Sequence, residues 1–297
     1  MELRVLKYFL AVAREESFTR AAAVLHISQP TLSRQIQAME DELGKPLLTR
    51  TTQHLSLTSD GILLRKRAEE ILALVEKAES EIRRDDEQIA GDIYIGGSES
   101  TIFLDILEVA RTTQEEFPFI HFHTVTCDCD MTLYDMEKGL IDFGFVYGDI
   151  DPAKYEKITL TKHDNWGIIM RSDDPLAAKK SLKPEDLYDK QLILSRQALS
   201  CAAHSDDLRK WFKCPMEKLR IQNSFTMLFN GALMVKSGMG YAICFDNLMN
   251  NMLNEDICLR PLDPPVPAYP NIVWRKNQVL SAAAEKFLAM LKKTFAK

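Results

Sequence analysis

The segment Gln29-Pro30-Thr31-Leu32-Ser33-Arg34 gathers hydrogen-bonding groups of several kinds into six residues. A Gln amide and an Arg guanidinium make paired contacts to the edges of adenine and guanine. Ser and Thr hydroxyls reach bases or phosphates, and a proline ring rests against a thymine methyl. Presented by the first turns of a helix, Gln29, Pro30, Thr31, Ser33 and Arg34 are candidates to read the major groove of DNA. Upstream, Ser17 and Thr19 open another short helix, whose unpaired N–H groups suit a phosphate.

A second set of polar residues suits a small ligand. Gly96-Gly97-Ser98-Glu99-Ser100-Thr101 follows a strand and opens a helix, so the hydroxyls of Ser98, Ser100 and Thr101 gather with backbone N–H groups where a carboxylate or other anion binds. An ordinary strand-to-helix turn is the alternative. Ser195-Arg196 follows the apolar strand LIL, and its guanidinium either faces an anionic ligand or makes a surface ion pair. Asp128, in Thr126-Cys127-Asp128-Cys129, either caps the next helix or faces a cleft, where it favours an amine or a hydroxyl-rich molecule.

Catalytic patterns are missing. There is no P-loop, GGSES lacks the spacing of a dinucleotide fingerprint, and no GxSxG elbow occurs. His121 and His123 share a strand face at a spacing that ligates metal, yet no third ligand accompanies them. The six cysteines form no CxxC pair, which fits a reduced cytoplasm and argues against a zinc site. Neither a metal nor a cofactor is expected, and an enzyme is not.

Length and charge agree with a multidomain protein that meets nucleic acid at one end. A chain of 297 residues accommodates two or three domains. Its net charge is −6, but residues 1–67 hold ten Lys/Arg against seven Asp/Glu, and the remainder 27 against 36. From Ser17 to Met39 there is no carboxylate at all, the bias a phosphate-facing surface needs. No run reaches the roughly 18 apolar residues of a membrane span, and charges interrupt the first segment where a signal peptide is apolar.

The elements that must hold these residues follow from periodicity. Leu3, Leu6, Phe9, Leu10 and Ala13 define one helix. Ser17 caps a second, with Phe18, Ala21, Ala22 and Leu25 on one face. After the turn His26-Ile27-Ser28, a third helix carries Leu32, Ile36, Met39 and Leu43 and stops at Gly44. The pair is a helix-turn-helix over 18–37. Leu48–Thr51 and Leu55–Leu57 read as a two-stranded wing that carries Arg50 and Gln53. From Thr58 or Ser59 a long helix repeats Leu64, Ala68, Ile71, Val75, Ala78 and Ile82 at 4-3-4-3-4, a heptad seam for a partner copy. Packing on its own domain is the alternative. Beyond Gly91, buried strands alternate with helices over about 200 residues, enough for two small α/β lobes around a cleft.

The run SFTRAAAVLHISQPTLSRQIQAMEDELGKPLL, followed by LSLTSDG, resembles the N-terminal domain of LysR-type transcriptional regulators. EKGLIDFGFV, MRSDDPLA, VKSGMGYAI and SAAAEKFLAML extend the resemblance over nearly the whole chain. It implies a winged helix-turn-helix over 1–58, a linker and dimerisation helix over 59–88, and an effector-binding domain over 89–297. That domain is expected to resemble type 2 periplasmic binding proteins, with lobe I at about 91–162 and 267–297 and lobe II at about 163–266. The resemblance implies promoter DNA, a small-molecule effector and copies of the same chain as partners, with assembly into homotetramers. Gln53 departs from the family, which often has Arg there for the minor groove. Cys127 and Asp128 depart from its glycine-then-hydroxyl turn, which leaves the effector's chemistry open.

Two other functions fit the same residues. A thiol-based redox regulator of the same fold would use Cys201, with Cys214 thirteen residues on, and would need Arg196 or Arg209 to lower a thiol pKa. A ligand-binding module without DNA activity is opposed by residues 1–58.

Overall fold

A computed structural model describes residues 1–50, 55–82, 89–196, 202–249 and 255–295. The chain divides into two compact units, Met1–Arg83 and Arg84–Lys297.

The first unit is built from α1 (Leu3–Glu15), α2 (Phe18–Val24), α3 (Gln29–Leu43), the hairpin β1 (Leu48–Arg50) and β2 (Leu55–Leu57), and α4 (Ser59–Ile82). Leu6, Phe9, Val12, Leu32, Ile36 and Met39 form its core. Ala21 and Ala22 are fully enclosed, and their small side chains let α2 approach its neighbours closely. Thr58 starts α4 by accepting from Gly61 N at 3.0 Å and donating to Pro46 O at 2.8 Å. Gly61 is required there, because a Cβ would lie 2.1 Å from Leu47 O.

The first half of the heptad seam on α4 also packs within its own chain. Ala68 is 0% exposed and Leu72 is buried in the same cluster as α1, with Leu64 and Ile71 packed against them. A small three-helix unit cannot enclose its own apolar face, so α4 supplies the missing wall and those positions are spent within the chain. Val75 is half-buried and Ala78 exposed, while Ile82 ends the helix. The apolar side chains that α4 turns outward are Ile62 (54% exposed), Leu63 (58%) and Leu74 (37%).

The second unit holds two sheets. Lobe I orders its strands β4-β3-β5-β13-β6, from β3 (Ala90–Gly97), β4 (Phe119–Thr126), β5 (Phe143–Tyr147), β6 (Tyr155–Thr159) and β13 (Pro270–Arg275). Here β3 is parallel to β4 and β5, and β13 is antiparallel to β5 and β6. Helices α5 (Phe103–Glu116), α6 (Cys129–Glu137) and α9 (Ala282–Phe295) accompany the sheet. Lobe II orders β11-β7-β10-β8-β9, from β7 (Asp164–Arg171), β8 (Gln191–Ser195), β9 (Arg220–Phe225), β10 (Tyr241–Phe245) and β11 (Ile257–Pro261), with α7 (Ala202–Phe212) and α8 (Leu228–Lys236). A short β12 (Pro267–Ala268) pairs with Asn165 and Asp164, so the two chain crossings between the lobes run side by side.

Edge strands β6 and β11 carry charges (Glu156, Lys157, Arg260) that protect a sheet edge but erase the apolar signal. After β10 the chain makes a 3₁₀ turn at Asp246–Met249, with 250–254 outside the described residues.

Candidate nucleic-acid interface and ligand cleft

The start of α3 is fixed by its own hydroxyls. Ser28 Oγ accepts from Thr31 N at 3.3 Å and lies 2.7 Å from Thr31 Oγ1. Thr31 is therefore part of the cap while remaining exposed, as Gln29, Pro30 and Arg34 are, with Ser33 half-buried. Ser17 Oγ accepts from Arg20 N at 3.3 Å at the start of α2, where Thr19 is exposed. His26 turns the chain with φ 54°, and Ile27 packs inward at the corner. At the far end of α3, buried Glu40 accepts from Leu47 N at 2.7 Å and Leu48 N at 3.1 Å, which anchors the wing to the helix. Arg50 ends β1, and Gln53 lies outside the described residues. The result is a helix end with satisfied caps and outward amide and guanidinium groups.

In the second unit, the carboxyl ends of β3, β4, β8 and β9 converge on a cleft between the lobes. The close approach of β3 to β5 requires Gly97, whose Cβ would lie 2.1 Å from Phe145 O. Ser98, Glu99 and Ser195 line a common cavity with Trp166, Phe225 and Phe245. Glu99 Oε2 accepts from Leu228 N at 2.7 Å, so a lobe I carboxylate sits on the first amide of α8 in lobe II. Asp128 caps α6 by accepting from Met131 N at 2.9 Å, and its other oxygen meets Arg196 Nε at 3.1 Å. Both alternatives for Asp128 thus hold together: it is a cap and it bridges the cleft.

Ser100 is turned to a different partner. Its Oγ donates to Asp164 Oδ2 at 2.8 Å and accepts from Ile102 N at 3.0 Å. Asp164 is fully buried; it also accepts from the Tyr147 hydroxyl and, at 3.4 Å, from Asn247 Nδ2. Burial and the adjacent Asp164 carboxylate push the Tyr147 hydroxyl pKa far above its ordinary value. Thr101 is exposed and faces a separate depression beside Lys162 and His163, so it does not join Ser98 and Ser195.

Sequence reasoning missed Glu99, Trp166, Phe225 and Phe245 as cleft residues. Only Glu99 had a local signal, its place inside the GGSEST turn. Cys201 lies outside the described residues. Burial raises the thiol pKa of Cys127 and Cys244, which disfavours the thiolate at both, and Cys214 packs against the core.

Two family models match the chain: "Bacterial regulatory helix-turn-helix protein, lysR family" over residues 3–62 and "LysR substrate binding domain" over residues 86–296. The regulator BsdA of Bacillus subtilis is 28% identical over 97% of this chain and 99% of its own. A probable cat1 operon transcriptional activator of Acinetobacter lwoffii is 37% identical over 65% of this chain and 64% of its own. The crystal structure of CbnR, a LysR family transcriptional regulator, shares the fold at a TM-score of 0.76, with 21% identity and 99% of each chain covered. An exposed helix-turn-helix joined to a two-lobed substrate-binding domain is what these matches have in common with this chain, which belongs to the LysR family of DNA-binding transcriptional regulators.

Proposed function

We propose that this regulator reads its operator with Gln29, Pro30, Ser33 and Arg34, seats phosphates at Ser17, Thr19 and Arg50, and changes its DNA contacts when a small molecule enters the cleft between its lobes. The observation that carries this is the cavity walled by both lobes, with Ser98 and Glu99 on one side and Ser195 on the other. A molecule that touches both walls gains affinity as they approach, so it shifts the lobes' closure equilibrium.

Self-association joins the two ends of this mechanism. Besides the outward face of α4, the second unit exposes Leu104 and Leu107 on α5 and Phe229 and Leu233 on α8. Two separate apolar faces support two kinds of self-contact, hence a homotetramer that carries two pairs of recognition helices. Promoter binding places the work in the cytoplasm, and no catalysed reaction is part of it. The test is a pair of operator footprints, with and without a ligand that raises the melting temperature. Ser98→Ala/Ser195→Ala should bind the operator as the wild type does and lose the ligand-dependent footprint change. Retention of that change places the effector elsewhere.

A further inference from the structure

We propose that the cleft selects an organic ammonium ion, an amine on a short apolar or aromatic body, over a carboxylate. This rests on the cleft being the effector site and adds the chemistry of the molecule that fills it. The cavity is small, about 40 Å³, between walls that belong to different lobes. Among the described residues that line it, Glu99 is the one charged side chain, and no Lys, Arg or His contributes. Its Oε2 takes the Leu228 amide, and a carboxylate offers about four acceptor sites in all, so it accepts further donors.

The surrounding walls suit the same charge. Trp166, Phe225 and Phe245 line the cavity, and the Trp166 and Phe245 rings stand 4.5 Å apart. Ring faces attract cations, Trp most strongly, and the attraction grows as water is excluded. A carboxylate ligand meets these rings and Glu99 with the wrong sign.

Several of the groups that could hold an anion are already engaged. Ser98 N donates to Phe145 O, Ile102 N donates to Ser100 Oγ, and Ser100 Oγ donates to Asp164. The Arg196 guanidinium is paired with Asp128, and the first amide of α8 with Glu99 itself. At each of these groups a carboxylate ligand competes with an internal partner.

The experiment titrates the full-length protein calorimetrically at neutral pH with matched probes of opposite charge: butylamine and butyrate, benzylamine and benzoate, phenethylamine and 3-phenylpropionate. At least one amine should saturate, with its carboxylate counterpart at least tenfold weaker. Glu99→Gln keeps an acceptor for the Leu228 amide and should weaken that amine at least tenfold, with operator affinity unchanged. Phe225→Ala should weaken it as well. If a carboxylate saturates instead and Ser195→Ala abolishes its binding, the cleft stands as the effector site and the ammonium assignment falls. If an amine saturates with no response to Glu99→Gln or Phe225→Ala, both fall. Saturation by no probe of either charge also overturns the ammonium assignment.

Discussion

Asp128 and Arg196 meet across the cleft at 3.1 Å, one at the start of α6 in lobe I and the other directly after β8 in lobe II. The carboxylate is buried and the guanidinium is 60% exposed, so solvent screens the pair from one side. Asp128→Asn keeps a competent cap for α6 but loses the charge that faces Arg196. We expect it to change stability by less than about 1 kcal/mol, as partly exposed pairs do. Its effect should appear in lobe separation, as a larger radius of gyration by small-angle scattering. Arg196→Ala leaves a buried carboxylate with fewer partners and should cost more, on the order of 1–3 kcal/mol by thermal denaturation.

The exposed end of α3 separates base reading from phosphate binding. Gln29→Ala or Arg34→Ala should relax preference at one position per half-site and cost about 1–3 kcal/mol on the intact operator. Arg50→Ala should weaken every sequence alike and flatten the salt dependence. Gel-shift titrations over a salt series distinguish the two behaviours. Unchanged base preference in both α3 variants removes that helix from the readout.

The two faces of α4 have opposite expected phenotypes. Ala68→Asp places a charge in the sealed core of the first unit and should unfold it. Leu63→Asp/Leu74→Asp alters outward positions, so the unit should stay folded while light scattering shows the mass of the assembly fall. Loss of folding in the second variant, or an unchanged mass, contradicts this division.

Tyr147 links stability to alkaline pH. Its folded pKa is raised by burial and by Asp164, so the neutral phenol contributes stability that is fully present below the ordinary tyrosine value, near pH 10. That contribution falls as pH climbs above it, because the unfolded chain then releases a proton the folded one retains. Tyr147→Phe should cost about 1–3 kcal/mol at neutral pH, by taking a donor from a buried carboxylate, and should flatten the stability curve above pH 10. Denaturant melts at pH 8 and above pH 10 measure both effects.

What could be read from the sequence was local. Ser17 and Ser28 each stand three residues before the amide they cap, and helix periodicity placed Leu32, Ile36 and Met39 inward. The Ser98 turn and Ser195 were legible as strand ends. The heptad spacing of α4 was real but ambiguous, since Ala68 serves an intramolecular wall equally well. Trp166, Phe225 and Phe245 carry no local pattern as site residues, for strand periodicity marks them only as buried. They converge on the cleft because β7 begins where β9 and β10 end, a fact of sheet order and direction.

The side-by-side crossings at β7 and β12 also bear on how the protein is made. Lobe II is an excursion from lobe I, and β13, which fills the gap between β5 and β6, comes after all of it. On the ribosome, lobe II can finish its sheet while β5 still presents an open edge, an invitation to the wrong strand. The strand that closes the first lobe begun therefore emerges only after the second, and the cleft exists only once both have been made.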